Sequence, residues 1–98
     1  MTTRAAIEAV WRIESGRLVA TLARITGDIG TAEDLAQDAF EAALKQWPRD
    51  GMPNNPGAWL TVTAKHRAVD QHRRRVTLDS KLATIAHDEA AVVQRSIR

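Results

Sequence analysis

The stretch that decides the predicted fold is Ala32-Glu33-Asp34-Leu35-Ala36-Gln37-Asp38-Ala39-Phe40, near the centre of a 98-residue chain. At about 100° per residue, a helix over this stretch separates its apolar residues from its carboxylates and amides. The apolar face contains Ala32, Ala36, Ala39, Phe40, Ala43 and Trp47, with Leu35 and Leu44 at its margins. The polar face contains Asp34, Gln37, Asp38, Glu41 and Lys45. We expect the apolar face to be buried and the polar face exposed, with Thr31 as the N-cap.

Another helix is predicted before this stretch, from about Ala5 to Thr26, with its end at Gly27. Its core-facing side would carry Ile7, Trp11, Leu18, Leu22 and Ile25. Gly16 lies in the interior of this helix, where glycine costs up to about 1 kcal/mol. It therefore either permits a close contact with another helix or is a tolerated weak point.

Helix-breaking residues separate the central helix from a third one. Proline cannot continue a helix, so the central helix should end at Trp47-Pro48, and a loop should run from Pro48 to Asn55. Asn55 can cap the third helix, with Pro56 in its first turn. This helix is expected to run to about Arg75.

A last segment with helical spacing follows Val76-Thr77-Leu78, and Asp79 or Ser80 could cap it. Its spaced apolar residues are Leu82, Ile85, Ala86, Val93 and Ile97. Few residues of the chain favour strands. The predicted fold is therefore all-α, with three main helices in a compact bundle plus a C-terminal helical or linker segment. We predict a helical domain over residues 1–76 and a connector over residues 77–98.

Composition excludes several classes of protein. The chain has no cysteine, which excludes disulfides and Cys-based zinc sites. No apolar run approaches the roughly 20 residues that span a bilayer, and the N-terminus lacks a secretory apolar region. The sequence therefore predicts a cytoplasmic protein without a membrane segment.

Catalysis is poorly supported by the sequence. His66, His72 and His87 are not spaced as i, i+4 metal ligands, and no glycine-rich phosphate loop is present. Asp34 and Asp38 are one turn apart, but such exposed carboxylates more often face water or a basic partner. We predict no enzymatic activity, no metal and no cofactor.

The net charge is only +2, but the charges are unevenly distributed. The central helix is acidic, whereas the third helix carries Lys65, Arg67, Arg73, Arg74 and Arg75 against one acid, Asp70. This separation suits contact with a basic protein surface through one helix and with phosphates through the other. The alternative is two solvated faces.

Three motifs, in order, resemble one protein family. Residues 32–40 resemble the polymerase-core-binding helix of bacterial sigma factors of the extracytoplasmic-function (ECF) class. Trp11-Arg12-Ile13-Glu14, with Leu22-Ala23-Arg24-Ile25-Thr26-Gly27-Asp28, resembles the first helix of that family. The third motif resembles the promoter-melting helix of that family. It consists of Pro56-Gly57-Ala58-Trp59-Leu60, Ala64-Lys65-His66-Arg67-Ala68-Val69-Asp70 and Arg73-Arg74-Arg75. The resemblance covers roughly Ala5 to Arg75, the second conserved region of a sigma factor.

This resemblance implies that the polar face of the central helix docks on core RNA polymerase, at the clamp helices of the β′ subunit. Carboxylates and amides there can accept bidentate hydrogen bonds from arginines. The core-binding residues implied are Asp34, Leu35, Gln37, Asp38 and Glu41. The resemblance also allows an inhibitory anti-sigma protein as a partner.

The resemblance further implies that the loop and the third helix recognise and melt the promoter minus-ten element and hold it as single-stranded DNA. Basic residues would contact phosphates, and amide or imidazole groups would contact bases. The nucleic-acid-binding residues implied are Arg49, Asn54, Asn55, Thr61, Lys65, His66, Arg73 and Arg74. Many relatives carry Asn in place of His66, which leaves base preference open, and His66 could instead pair with Asp70. Trp59 could be a stacking platform, although its apolar neighbours favour the core.

A rival hypothesis is a helical protein-interaction module without nucleic-acid function. The acidic face would then be the binding site, and Arg73-Arg74-Arg75 would only be a solubilising helix end. The loop rich in proline and the basic third helix together favour the sigma-factor hypothesis. The helix-turn-helix domain with which the family reads the more distant promoter element is absent from these residues, so we expect a fragment or an excised domain.

Overall fold

The computed structural model describes the backbone of residues 2–97 and the side chains of residues 2–82. It contains three helices, α1 (Thr3–Thr26), α2 (Ile29–Asp50) and α3 (Pro56–Ile97), and no strand within residues 2–97. The all-α fold with three main helices is confirmed. The chain divides into two units, one up to Ala68 and one from Val69 onward. The first unit contains α1, α2 and the beginning of α3.

Both ends of α1 are capped by local hydrogen bonds. The N–H of Ala5 donates to Oγ1 of Thr2 over 3.1 Å, and the N–H of Gly27 donates to the carbonyl of Ala23 over 2.8 Å. Gly27 has a φ of 74°, in the left-handed region that favours glycine. The predicted end of the first helix is therefore confirmed.

α2 begins earlier than predicted, because its N-cap is Asp28 and not Thr31. The Asp28 carboxylate accepts from the backbone N–H of Thr31 over 3.0 Å and from its hydroxyl over 2.5 Å. The Thr31 hydroxyl thus donates, whereas an N-cap side chain accepts. Ile29 and Gly30, which a Thr31 cap would leave outside the helix, form its first turn.

α2 also ends later than predicted, because Pro48 lies inside it and the helix continues to Asp50. Proline removes one N–H donor from the helix. Less than one further turn follows Pro48, and the N–H of Gly51 closes the end by donating to the carbonyl of Trp47 over 2.8 Å. The loop between α2 and α3 is therefore shortened to residues 51–55.

α3 begins as predicted, with Asn55 as its cap and Pro56 as its first residue. The N–H of Ala58 donates to Oδ1 of Asn55, and the N–H of Trp59 donates to the Asn55 carbonyl, each over 3.1 Å. Both bonds satisfy amides that a helix N-terminus otherwise leaves without an acceptor.

α3 does not end near Arg75, and the predicted interruption at Val76-Thr77-Leu78 is wrong. No glycine or proline follows Gly57 within α3, and the β-branched residues at the expected break cost only tenths of a kcal/mol each in a helix. Asp79 and Ser80 are therefore interior residues and not caps. The predicted apolar spacing at Ile85, Ala86, Val93 and Ile97 concerns side chains outside the described residues.

The core of the first unit lies where α2 meets α1 and the start of α3. Small residues dominate the α2 contribution, which lets neighbouring helices approach closely. The buried core comprises Ile7, Leu18, Leu22, Ala32, Leu35, Ala36, Ala39, Ala43, Trp47, Leu60 and Ala64.

Aromatic side chains close two edges of this core. The rings of Trp11 and Phe40 stack with centroids 4.7 Å apart, and both are only half-buried. Trp47 is buried and meets Trp59 edge to face at 5.2 Å, but its indole N–H has no hydrogen-bond partner among the described residues. Trp59 packs against the core, as its apolar neighbours indicated.

Two sequence-based expectations for the core need correction, and the structure selects between the two alternatives for Gly16. Ile25 is 54% exposed, in the last turn of α1, and does not belong to the core. Phe40 is partly and not fully buried. Gly16 has no neighbouring atom within 4 Å of the position that a Cβ would take, so it permits no close helix contact and is the tolerated weak point.

Candidate interaction surfaces

The polar face of α2 is an acidic surface, defined here by Asp34, Gln37, Asp38 and Glu41. Asp34, Gln37 and Glu41 are exposed, and Asp38 is half-buried. Within residues 2–82, none of these side chains forms a hydrogen bond or an ion pair. Their oxygens are therefore available to donors from another molecule.

Leu35 differs from the other residues predicted to bind the polymerase. It is 0% exposed and belongs to the core, so the expectation that it contacts a partner directly needs correction. It is buried beside the small core residues Ala32, Ala36 and Ala39 of the same helix. Leu35 therefore belongs to the buried side of the helix that carries the acidic surface.

The loop between α2 and α3 brings together part of the predicted nucleic-acid site. Asn54 is exposed. Asn55 uses its side-chain oxygen as the α3 cap, which leaves its amide NH₂ as the free part of the group. Arg49 lies in the last turn of α2, where its Nε donates to Oδ1 of Asp50 over 3.1 Å. Because both side chains of this pair are mostly exposed, it is weak and can exchange for a phosphate contact.

Along α3, the structure gives the remaining predicted residues different surroundings. Lys65 and His66 are exposed in the first unit, and Arg73 and Arg74 are exposed in the second. Thr61 is half-buried, and its hydroxyl donates to the carbonyl of Gly57 over 2.9 Å. Thr61 therefore uses its donor inside the helix, whereas the side chains of Lys65 and His66 have no hydrogen bond or ion pair among the described residues.

Two carboxylates at helix starts in the first unit were not expected from the sequence. Asp28 holds the start of α2, and hydrogen bonds from the Thr31 hydroxyl and then from the Thr31 backbone lower the pKa of its carboxyl. Glu14 of α1 lies against Gly57 in the first turn of α3. For Asp28, the signal was its position directly after the helix-ending Gly27. For Glu14, the only signal was Gly57 in the first turn of the third helix, and a glycine there does not show which side chain lies beside it.

Neither a metal site nor a membrane-spanning helix occurs in the part of the chain whose side chains are described. Residues 2–82 contain no cluster of three or more His, Asp or Glu side chains placed to hold a metal ion. Within the same residues, no helix is both long enough and apolar enough to cross a bilayer.

Comparison with known proteins places most of the first unit in one family. A family model described as sigma-70 region 2 matches residues 11–77. The chain is 34% identical over 89 residues to a probable ECF RNA polymerase sigma factor, SigI, of Mycobacterium tuberculosis, which covers 89% of this chain and 30% of that protein. It is also 39% identical over 54 residues to an uncharacterised protein of Rhizobium meliloti, covering 55% of this chain and 13% of that protein. The chain thus spans less than a third of the length of these relatives. No solved structure gave a significant match.

Proposed function

Because the chain belongs to the sigma-70 region 2 family, of the ECF class that its motifs resemble, we propose that it is the part of a transcription initiation factor that docks on core RNA polymerase and opens promoter DNA. The observation that carries this proposal is the acidic surface of α2, whose four side chains are exposed or half-buried and are unpaired within residues 2–82. No chemistry on this chain is required. A cytoplasmic location follows from the proposed function.

The proposed partner of the acidic surface is the pair of clamp helices of the β′ subunit. Four acceptor side chains on one helix face match a surface that presents arginines, because each carboxylate can take two parallel hydrogen bonds from a guanidinium group. Glu41 lies two turns beyond Asp34 on the same face, so the surface spans about 10 Å at 1.5 Å per residue. An inhibitory anti-sigma partner stays a prediction from the resemblance.

The proposed DNA ligand is the minus-ten element in its single-stranded form. The free amide groups of Asn54 and Asn55 and the imidazole of His66 offer donors and acceptors to base edges. Lys65, Arg73 and Arg74 are exposed and suit phosphates, which lack sequence information but supply affinity. The Thr61 hydroxyl donates to the Gly57 carbonyl, so Thr61 is a weaker candidate for a base contact than Asn54, Asn55 or His66.

Charge reversal on α2 tests the polymerase contact. Asp34→Arg with Glu41→Arg should weaken binding to core polymerase at least about tenfold, because two acceptors become cations that face arginines. Both positions are exposed, so the free energy of unfolding should change little. The measurement is a titration of labelled full-length protein with core polymerase, together with a thermal melt.

The matched control is Asp50→Arg with Asp79→Arg, which changes the net charge equally at exposed positions that do not belong to the acidic surface. It should bind core polymerase like the wild type. Equal loss in both double variants would point to a general charge effect, and unchanged affinity in the α2 variant would contradict the proposed docking surface.

A further inference from the structure

Glu14 contacts the backbone at the start of α3. A Cβ atom on Gly57 would lie 2.6 Å from Oε2, 2.8 Å from Cδ and 3.1 Å from Oε1 of Glu14. These separations are shorter than van der Waals contacts, so the Glu14 carboxylate occupies the space that any side chain at this position would take. Glu14 is half-buried, and Gly57 is the second residue of α3.

The first turn of α3 lacks a negative charge of its own. No acidic residue occurs in it, and Pro56 has no N–H. The N–H groups of Ala58 and Trp59 are bound by Asn55, which leaves the N–H of Gly57 as the remaining amide of the turn. A helix N-terminus carries a partial positive charge that a nearby carboxylate stabilises. Glu14 supplies this carboxylate from another helix.

Gly57 therefore has two polar side chains as close neighbours. The Glu14 carboxylate lies against its Cα, and the Thr61 hydroxyl donates to its carbonyl over 2.9 Å. Directly before this turn lies loop 51–55, which carries Asn54 and Asn55. Glu14 belongs to α1, which packs through the core onto α2, the helix with the acidic surface.

We propose that Glu14 is a positioning residue for promoter opening. Its carboxylate anchors the first turn of α3, and with it loop 51–55, to α1, which packs on the proposed docking helix α2. Glu14 does not touch DNA in this mechanism. The inference rests on the proposed function, since it concerns the orientation of the groups that hold the opened strand.

Two single variants should remove this anchor in different ways. Glu14→Ala deletes the carboxylate, and Gly57→Ala displaces it, because the far end of a flexible side chain moves more easily than the helix backbone. In holoenzyme assembled from full-length protein, each should slow opening of a duplex promoter about two- to fivefold, the range of one charge at a helix terminus. The readout is a fluorescent adenine analogue in the minus-ten element, followed well below the melting temperature of every variant.

The double variant gives the decisive comparison. With Glu14 truncated, the methyl group that Gly57→Ala introduces has room, and alanine is a better helix former than glycine. Glu14→Ala with Gly57→Ala should therefore open the promoter no more slowly than either single variant. Additive slowing would overturn the inference, because it would mean that the two residues act independently.

Charge and shape are separated by Glu14→Gln, which should slow opening as much as Glu14→Ala, whereas Glu8→Gln on the same helix should have no effect. Affinity for core polymerase should stay within about twofold of the wild type in all these variants, because the acidic surface is untouched. A purely structural role would lower core affinity and opening together and would overturn the inference. Wild-type opening by Glu14→Gln would overturn it as well.

Lys65→Ala, measured in parallel, distinguishes failure of this inference from failure of the proposed function. If Lys65→Ala slows opening and the Glu14 variants do not, the positioning role is wrong and the strand-holding function stands. If none of them affects opening, the proposed function itself fails.

Discussion

At the scale of single residues, the carboxylate of Asp28 determines where α2 begins. It accepts two hydrogen bonds from Thr31, and these bonds favour its charged form and lower its pKa. A carboxyl whose pKa is lower in the folded state than in the unfolded state stabilises the fold above its unfolded pKa. That contribution is lost as the pH falls through the folded pKa.

This linkage predicts a pH-dependent difference between the wild type and Asp28→Asn. Asparagine can still accept from Thr31, but it carries no charge toward the positive end of α2. At neutral pH the variant should melt at a lower temperature than the wild type, and the difference should shrink as the pH falls below the ordinary range of an aspartate carboxyl. Thermal melts across this range measure it. A difference that is constant with pH would show that the Asp28 charge does not contribute.

Residue-level errors in the sequence analysis have a common physical origin. Thr31 and Asp28 are both good N-caps, and only the backbone path after Gly27 selects between them. Leu35 lay at the margin of the helical wheel, yet it is fully buried in the core that α2 forms with residues of α1 and α3. Both outcomes are set by tertiary contacts, which periodicity along one helix does not contain.

At the scale of elements, α1 and α2 each end at a glycine with a positive φ, Gly27 and Gly51, and not at the nearest glycine or proline. α2 continues past Pro48, where the last turn needs few further bonds, and ends at Gly51 with a φ of 92°. α3 has no glycine or proline after Gly57, and it continues to Ile97. The existence of each helix was predictable from apolar spacing, whereas the end of α3 was not, because Asp79 and Ser80, which can cap a helix, also fit within one.

The continuity of α3 can be tested at Thr77, which is exposed and lies where a break was expected. Thr77→Pro should reduce helix content in far-ultraviolet circular dichroism, since an interior proline costs about 3 kcal/mol or more. The core of the first unit lies before Ala68 and should retain its cooperative thermal transition. Thr77→Ala is the matched control and should keep or raise helix content. Equal helix content in both variants would contradict a continuous helix here.

At the scale of the whole molecule, the small net charge is the sum of an acidic group and a basic group of side chains on different helices. Fourteen Lys and Arg residues nearly balance twelve Asp and Glu residues. The acidic surface nevertheless belongs to α2 alone, and α3 carries a separate basic group, Lys65, Arg67, Arg73, Arg74 and Arg75. This separation was predictable from the sequence, because charge and helical spacing are both local properties. The use of the Asn55 side-chain oxygen as the α3 cap was also predictable, from its place before Pro56. The bond from the Thr61 hydroxyl to the Gly57 carbonyl was not, because the choice of rotamer is not visible in the sequence.

The proposed division between phosphate contacts and base contacts predicts two different responses to salt. If basic side chains on α2 and α3 neutralise three or four phosphates, the logarithm of the affinity for single-stranded DNA should fall with the logarithm of salt concentration with a slope of about −2 to −3. Arg73→Ala should reduce the magnitude of this slope by about 0.7 for every DNA sequence. His66→Ala should leave the slope unchanged and reduce the preference for the promoter sequence over a scrambled one.

Holoenzyme binding to a pre-opened promoter, in which the minus-ten element is native or scrambled, measures the change that each variant causes in the slope and in the preference, because phosphates contacted by the polymerase add the same amount to the slope of every variant. Arg12→Ala, an exposed arginine on α1 outside the proposed site, is the control and should change neither the slope nor the preference. Because Arg73 and Arg12 carry the same charge, only position in the fold can make their effects differ. A lower slope with both variants would indicate a diffuse charge effect, and an intact base preference in His66→Ala would remove His66 from the proposed DNA site while leaving the phosphate contacts of α3 in place.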